Sequence, residues 1–84
     1  MTKIALIIPA FNEEKSIGRV LAEVPAIVDE VVVVDNNSSD KTAEVARKHG
    51  ATVLHEPNKG YGFACLRGIN YLRQKSKRPD ILVF

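Results

Sequence analysis

Short apolar runs alternate along this chain with segments in which apolar residues recur at helical spacing. The runs lie at residues 4–8, 31–34, 52–54 and 81–84, and most of them contain no polar residue. Continuous hydrophobicity is typical of strands buried on both faces, as in a parallel sheet that lies between helices. The pattern therefore predicts four parallel strands.

The first two intervening segments predict helices. The first has four apolar residues on one face: Ile17, Val20, Leu21 and Val24. Pro25 ends it, because proline cannot continue a helix. The second helix follows the N-cap residues at 38–40 and ends before Gly50, a common helix stop.

A third helix is predicted over residues 61–76. Its apolar stripe is formed by Cys65, Ile69 and Leu72, with Leu66 beside it. Gly68 costs this helix about 1 kcal/mol relative to alanine, so we expect it to allow close packing on the sheet. Strands that alternate with helices of this length form right-handed βαβ units. The predicted fold class is α/β, a Rossmann-like parallel sheet with helices on both faces.

Composition limits the classes of function. The chain has 84 residues and a net charge of +2, so it forms one domain at most and gives no argument for a nucleic-acid partner. Cys65 is the single cysteine, which excludes an internal disulfide and favours a reducing compartment. The run at residues 4–8 is too short for a signal peptide or a membrane span. We expect a cytoplasmic protein.

Polar residues concentrate in three loops that follow the predicted strands, at residues 9–14, 35–40 and 56–60. In a parallel sheet, such loops share one edge, and ligands bind there. The first loop contains no glycine, which disfavours both a dinucleotide-binding turn and a P-loop. Its carboxylates and amide suit hydrogen bonding to a base or ribose.

Several acidic residues lie in these loops. Asp35 directly follows four valines and can accept hydrogen bonds from a ribose hydroxyl or a base N–H. Glu13 is equally compatible with ligand binding and with stabilising a helix N-terminus. We assign Glu14 to the start of the helix that follows it, and Asp40 to capping the second helix.

The third loop suits an anion. Lys59 lies beside Gly60 and Gly62, and the N–H groups of the following helix face the same edge, which favours a diphosphate. Asn36 and Asn37 suit a turn, because asparagine tolerates left-handed backbone geometry.

No arrangement for nucleophilic catalysis is apparent. His49 and His55 have no partner at metal-ligand spacing, and we expect them at the surface or at loop ends. Cys65 lies on the predicted stripe, which favours core packing over a role as a nucleophile.

Three motifs in this order resemble family 2 glycosyltransferases, which have the GT-A fold. They are IIPAFNEE at 7–14, VVDNNSSDKT at 33–42, and NKGYG at 58–62 followed by Ala64 and Gly68. Each motif alone is weak, but together they span nearly the whole chain. The likeness is greatest to polyprenyl-phosphate mannosyl- and glucosyltransferases of the dolichyl-phosphate mannose synthase type.

The resemblance implies roles for individual residues. Four positions match residues that line the nucleotide pocket: Pro9, Ala10, Phe11 and Glu13. Asp35 matches the carboxylate that contacts the base or ribose, and Lys59 lies in the segment near the donor phosphates. Many members have two acidic residues where this chain has Asp35 and Asn36, which leaves UDP-hexose and GDP-hexose both open as donors.

The resemblance also implies what lies outside the chain. In the family, a strand like 81–84 leads into an Asp-x-Asp motif that binds Mg²⁺ or Mn²⁺ on the donor diphosphate. We therefore expect residues 1–84 to be the N-terminal, nucleotide-binding portion of a GT-A domain, without metal ligands or catalytic residues and without activity alone. The complete enzyme is expected to transfer a hexose to an acceptor such as a polyprenyl phosphate, in the cytoplasm or at the cytoplasmic face of a membrane.

Other classes of function fit less well. A non-catalytic nucleotide-binding module is one alternative, and the apolar strand at 81–84 could also pair with a second copy as an exposed edge. A nucleotidyltransferase would carry a glycine-rich signature after its first strand, and a receiver domain would carry an acidic pair there. The sequence has Pro9, Ala10 and Phe11 at that place.

Overall fold

A computed structural model describes residues 3–75 and the backbone of residues 81–83. The elements within these ranges follow in the order β1 Ile4–Ala10, α1 Ile17–Ala22, β2 Glu30–Asp35, α2 Thr42–Lys48, β3 Thr52–His55, α3 Tyr61–Arg73 and β4 Ile81–Val83. The predicted alternation of strands and helices is confirmed. α3 ends at Arg73 rather than at residue 76, and Ser76 and Phe84 lie outside the described residues.

The described strands form one parallel sheet in the order β3-β2-β1-β4. The register pairs Ala10 with Asp35 and Asp35 with His55, so the carboxyl ends of β1, β2 and β3 lie side by side. β4 pairs with β1 and forms an edge of this sheet. Pairing of that edge with a second copy remains a prediction.

Pro9 was expected to end the first strand but lies within β1, opposite Val34. Proline cannot donate a backbone hydrogen bond and is usually excluded from central strands. In β1 its neighbour on the β2 side is Val34, and the described pairing with β4 involves Ile4 to Leu6. The strand continues to Ala10, so both residues lie at the carboxyl edge of the sheet.

Helices cover both faces of the sheet, as predicted. Alternate residues of a strand point to opposite faces, so Val32 and Val34 pack on the α3 side and Val33 on the side of α1 and α2. The buried residues on the α3 side are Ala5, Ile7, Val32, Val34, Leu54, Ala64 and Leu72. Those on the other side are Ala10, Ile17, Val33 and Ala46.

The predicted stripe of α3 is wrong in part. The buried residues of this helix are Ala64, Gly68 and Leu72, whereas Cys65 is only partly buried and Leu66 is 57% exposed. A Cβ on Gly68 would lie 2.8 Å from Ile7 Cγ2, which confirms that the glycine allows close packing. The helix approaches the sheet so closely that small residues occupy the contact line.

The stripe of α1 also differs from the prediction. Ile17 is buried and Leu21 packs beside it, but Val20 is 44% exposed. The helix ends at Ala22, before Val24, so it has little more than one turn to place against the core. Ile17 and Leu21, four residues apart, therefore face the core, whereas Val20 faces solvent. No helix within residues 3–75 is long and apolar enough to cross a bilayer.

Candidate functional site

Asp35 lies at the centre of the carboxyl edge of the sheet. It ends β2, between Ala10 and His55 in register, and is 7% exposed. Within residues 3–75 its carboxylate accepts one hydrogen bond, from the Ser38 N–H at 3.3 Å, and Oδ2 lies 3.9 Å from His55 Nδ1. A carboxylate on a rigid strand with lone pairs left over can accept further hydrogen bonds from a ligand.

A cavity of about 200 Å³ opens beside the end of β1. Its lining residues come from the first two loops and from the first residue of α3: Pro9, Ala10, Phe11, Asn36 and Tyr61. Phe11 is 45% exposed and Tyr61 is 65% exposed. The structure thus brings together three of the residues that the sequence predicted for the nucleotide pocket, with two aromatic rings available to a planar ligand.

Lys59 connects the third loop to the first. Its Nζ lies 5.2 Å from the centroid of the Phe11 ring, within the range of a cation–π contact. The same residue lines a neighbouring, largely apolar cavity of about 340 Å³, together with Gly60, Gly62, Phe63 and Leu66. The Lys59 side chain thus lines one cavity and contacts Phe11, which lines the other, at the N-terminus of α3.

Glu13 lies elsewhere. Its carboxylate accepts a hydrogen bond from Ser16 Oγ at 2.6 Å, and its N–H donates to Thr42 Oγ1 at 2.8 Å. It lines a separate cavity of about 340 Å³ with Asn12, Glu14, Lys15, Ser16 and Asp40. This cavity is lined by neither Asp35 nor Lys59, and Lys59 lines a different one, at the start of α3.

The first two loops are joined by a hydrogen-bonded network. Asn12, at a φ of 51°, donates its N–H to Ser38 Oγ and accepts from the Ser39 N–H through Oδ1, both at 2.9 Å. Because both contacts cross between loops, the network fixes the path of the chain from Phe11 towards α1.

Glu14 and Asp40 both serve helix starts, but Glu14 serves a different helix from the one predicted. Its Oε1 accepts the Lys41 N–H at 3.0 Å, immediately before α2, rather than acting on α1. Asp40 Oδ1 accepts the Thr42 N–H at 2.9 Å, as expected of a residue that caps α2. The Thr42 hydroxyl, which also donates to this carboxylate, lowers the pKa of Asp40.

Asn36 has a role that the sequence did not predict. We expected it in a turn, but the left-handed turn residue is Asn37, at a φ of 64°. Asn36 is 7% exposed, and its side chain holds the third loop through three backbone groups. These groups are the Glu56 carbonyl, the Asn58 carbonyl and the Gly60 N–H. The sequence did contain a signal for this burial. Alternate strand residues face the same side of the sheet, so residue 36, like Val32 and Val34, points towards α3.

The remaining chemically reactive side chains form no obvious site. His49 Nδ1 lies 3.0 Å from the Val45 carbonyl, and its exposed ring packs over Gly18. A hydrogen bond with Cys65 raises the pKa of the Tyr61 hydroxyl. The described residues contain no group of three His, Cys, Asp or Glu side chains that could hold a metal ion.

Comparison with known proteins relates this geometry to a family. Residues 5–84 match the family model described as glycosyl transferase family 2. An uncharacterised glycosyltransferase of Mycobacterium tuberculosis is 48% identical over 66 residues, covering 79% of this chain and 30% of the relative. A dolichyl-phosphate hexose transferase of Haloferax volcanii is 47% identical over 64 residues, covering 73% of this chain and 28% of the relative.

Solved structures agree with the fold. Glucosyl-3-phosphoglycerate synthase of M. tuberculosis superimposes with a TM-score of 0.77 at 29% identity, covering 96% of this chain and 32% of that one. That enzyme was crystallised with Mn²⁺, UDP and glucosyl-3-phosphoglycerate, and also with Mg²⁺ and UDP. The present chain spans about 30% of the length of the proteins it matches.

Proposed function

Because the chain belongs to glycosyl transferase family 2, we propose that residues 1–84 form the nucleotide-binding portion of an enzyme that transfers a hexose from a nucleotide sugar. The donor is a UDP- or GDP-hexose. Support for a nucleotide sugar comes from the related M. tuberculosis synthase, which was crystallised with UDP and with UDP-glucose.

The observation that carries the proposal is a buried carboxylate at the carboxyl end of β2, where the next residue, Asn36, lines a cavity that can hold a planar ring. Asp35 adjoins Ala10 in register, and Ala10 lines that cavity with Pro9 and Phe11. In the proposed complex, the base lies against these three residues, and Asp35 accepts a hydrogen bond from the base or a ribose hydroxyl. Charge assistance makes such a bond worth about 1.5–3 kcal/mol.

The diphosphate is proposed to lie beside Lys59, because a cation stabilises the charge of the donor phosphates. Within residues 3–75, no hydrogen bond satisfies the N–H groups of Tyr61, Gly62 and Phe63 in the first turn of α3, and these can donate to the same oxygens. We also propose that Glu13 binds the nucleotide sugar, from the side of the first loop that faces its separate cavity. In that complex its carboxylate exchanges the hydrogen bond from Ser16 for one from the nucleotide sugar.

For the complete enzyme we propose Mg²⁺ or Mn²⁺, as in the crystals of the related synthase. Such an ion supplies Lewis-acid stabilisation of a leaving nucleoside diphosphate. The described residues do not fit this ion, since they contain no three-ligand set. No residue between 3 and 75 is therefore proposed as a ligand of the metal.

The acceptor is proposed to be a polyprenyl phosphate, on the strength of the 47% identity to the dolichyl-phosphate hexose transferase. An acceptor of this kind would place the reaction at a membrane surface, which we propose to be the cytoplasmic face. Sugar transfer to a short-chain polyprenyl phosphate, compared with transfer to phosphoglyceric acid, tests this choice. Preference for the phosphoglyceric acid would refute it.

The proposed binding site for the nucleotide sugar is tested with the Asp35→Ala variant of the complete enzyme. Titration calorimetry measures its affinity for UDP and GDP in the presence of Mn²⁺. Loss of a charge-assisted hydrogen bond of about 1.5–3 kcal/mol predicts affinity weaker by about 10- to 100-fold. The matched control is Glu23→Ala, which removes the same charge from an exposed position at the end of α1. Equal affinities of the two variants, with unchanged circular dichroism, would rule out the role of Asp35.

A further inference from the structure

The Asn36 side chain uses its amide to hold the third loop. Nδ2 donates to the Glu56 carbonyl at 3.1 Å and to the Asn58 carbonyl at 2.8 Å. Oδ1 accepts the Gly60 N–H at 2.8 Å. One buried side chain thus fixes three backbone groups within five consecutive residues, 20 to 24 positions further along the chain.

The pattern requires an amide. Two of the partners are acceptors and one is a donor, and only a side chain with both an NH₂ group and a carbonyl oxygen satisfies all three. An aspartate at this position would keep the bond to Gly60 but would turn an oxygen towards two carbonyl oxygens. Such a contact is repulsive inside a protein, where an unmatched buried polar group is costly.

The held segment leads directly into α3. Gly60 precedes the helix at φ 133° and ψ 144°, a backbone conformation that residues with a side chain rarely adopt. Its N–H donates the hydrogen bond that Asn36 Oδ1 accepts. Lys59 is the preceding residue, and its Nζ reaches the Phe11 ring only while the loop keeps this path. Asn36 therefore determines where Lys59 and the first turn of α3 lie relative to the first loop.

We propose that Asn36 is a positioning residue, which holds residues 56–60 so that Lys59 and the N-terminus of α3 face the donor diphosphate. The proposal rests on the proposed function and deepens it. It assigns to Asn36 no contact with the phosphates, since its polar atoms are engaged by the loop. It predicts that loss of the amide weakens binding of the nucleoside diphosphate by a larger factor than binding of the nucleoside, although Asn36 also lines the cavity proposed for the base.

The test measures affinities of the intact protein for UDP, UMP and uridine, or for the guanosine series if the wild type prefers it. Asn36→Ala should weaken nucleoside diphosphate binding at least 10-fold and nucleoside binding by a clearly smaller factor. Amide hydrogen exchange at Gly60 should accelerate at least 10-fold, because its acceptor is gone, while exchange at Val33 in the sheet should not change. Equal losses for UDP and uridine would overturn the positioning role.

A matched pair of variants separates position from charge. Asn36→Asp removes both donated bonds at nearly constant volume and supplies a second measurement if the alanine variant folds poorly. Asn37→Asp adds the same charge one residue away, at an exposed side chain without a hydrogen bond to the described part of the chain. Asn36→Asp should lose diphosphate affinity at least 10-fold and Asn37→Asp less than twofold. Similar losses would mean that charge alone acts, against the proposal.

A double-mutant cycle with Lys59→Met tests whether Asn36 acts through Lys59. In the Lys59→Met background, Asn36→Ala should weaken UDP binding by a smaller factor than in the wild type, because the group that it positions is absent. Full additivity would contradict the proposal. If the wild type binds neither UDP nor GDP, the proposed function fails and the positioning role with it, whereas diphosphate binding with an additive cycle would overturn the positioning role alone.

Discussion

Gly68→Ala tests the closest approach between helix and sheet in the described residues. Gly68 lies in the middle of α3, above Ile7 of β1, which is fully buried. An added Cβ would lie 2.8 Å from Ile7 Cγ2 and 3.1 Å from Cδ1. Carbon atoms prefer about 3.5–4.0 Å, so the helix or the strand must move by roughly 0.7 Å.

Two effects of opposite sign decide the outcome. Alanine is favoured over glycine inside a helix by about 1 kcal/mol. Overpacking of a buried site costs about 1–3 kcal/mol, and Cγ2 is a branch methyl on Cβ that cannot swing away as the end of a long side chain could. We therefore expect Gly68→Ala to lower the free energy of unfolding by up to about 2 kcal/mol, despite its better helix propensity.

Gly62→Ala is the matched control, because it lies in the same helix and a Cβ there meets nothing within 4 Å. It should raise the free energy of unfolding by up to about 1 kcal/mol. Urea unfolding measures both variants, and each 1 kcal/mol corresponds to a shift in Tm of about 4–8 °C for a domain of this size. If Gly68→Ala proves as stable as Gly62→Ala, the close packing of α3 on Ile7 is refuted.

Two further predictions concern stability. Gly60→Ala should destabilise the protein by about 1–3 kcal/mol, because φ at this residue is 133°, and a variant as stable as Gly62→Ala in urea would contradict the strain. Lys75 Nζ lies 2.8 and 2.9 Å from the two Glu30 carboxylate oxygens, and this hydrogen bonding raises the pKa of Lys75 above its ordinary value of 10.5. The ion pair should therefore stabilise the fold fully below about pH 10 and lose its effect as the pH rises through the raised pKa. Lys75→Met should cost at most about 1 kcal/mol near neutral pH, because the two side chains are 36% and 25% exposed. A difference from the wild type that does not shrink as the pH is raised through the pKa of Lys75 would contradict this origin.

The strands and helices were predictable from the sequence because a strand that is covered on both faces consists of a continuous run of apolar residues. Val31 to Val34 must be apolar throughout, since alternate residues face two different helix layers. The ends of the elements were less predictable. Pro9 lies within β1, opposite Val34, although a local rule for proline ends the strand there.

The contact face of α3 was predicted only in part, because Leu72 and Ile69 lie on it but Leu66 does not. Large apolar residues dominate the hydrophobic periodicity of a helix. The pattern therefore predicted that Cys65 and Leu66 lie near the contact, whereas the buried residue is Ala64. A helix that lies very close to a sheet has small residues at the contact, and the periodic pattern of large residues is then displaced around the helix. Gly68 was the informative residue, because its helix penalty requires a packing reason.

The candidate site was predictable where the residue type itself is informative. Asp35 after a buried strand and Lys59 before a helix are recognisable from chemistry and position alone. Asn36 is not, because an asparagine after a strand suits many turns, and its three partners lie 20 or more residues away. The position of Glu13 was also beyond local reasoning, since it depends on Thr42 of α2.

The pairing of Ile4 with Ile81 has a consequence for synthesis of the protein. β1 leaves the ribosome before β4, which begins about 70 residues later and, at about 5–20 residues per second, follows after on the order of 4–14 s. During that interval, the side of β1 that β4 later covers remains open to other nascent chains. Slower translation should lengthen this exposure, and a chaperone that binds extended apolar segments should shorten it.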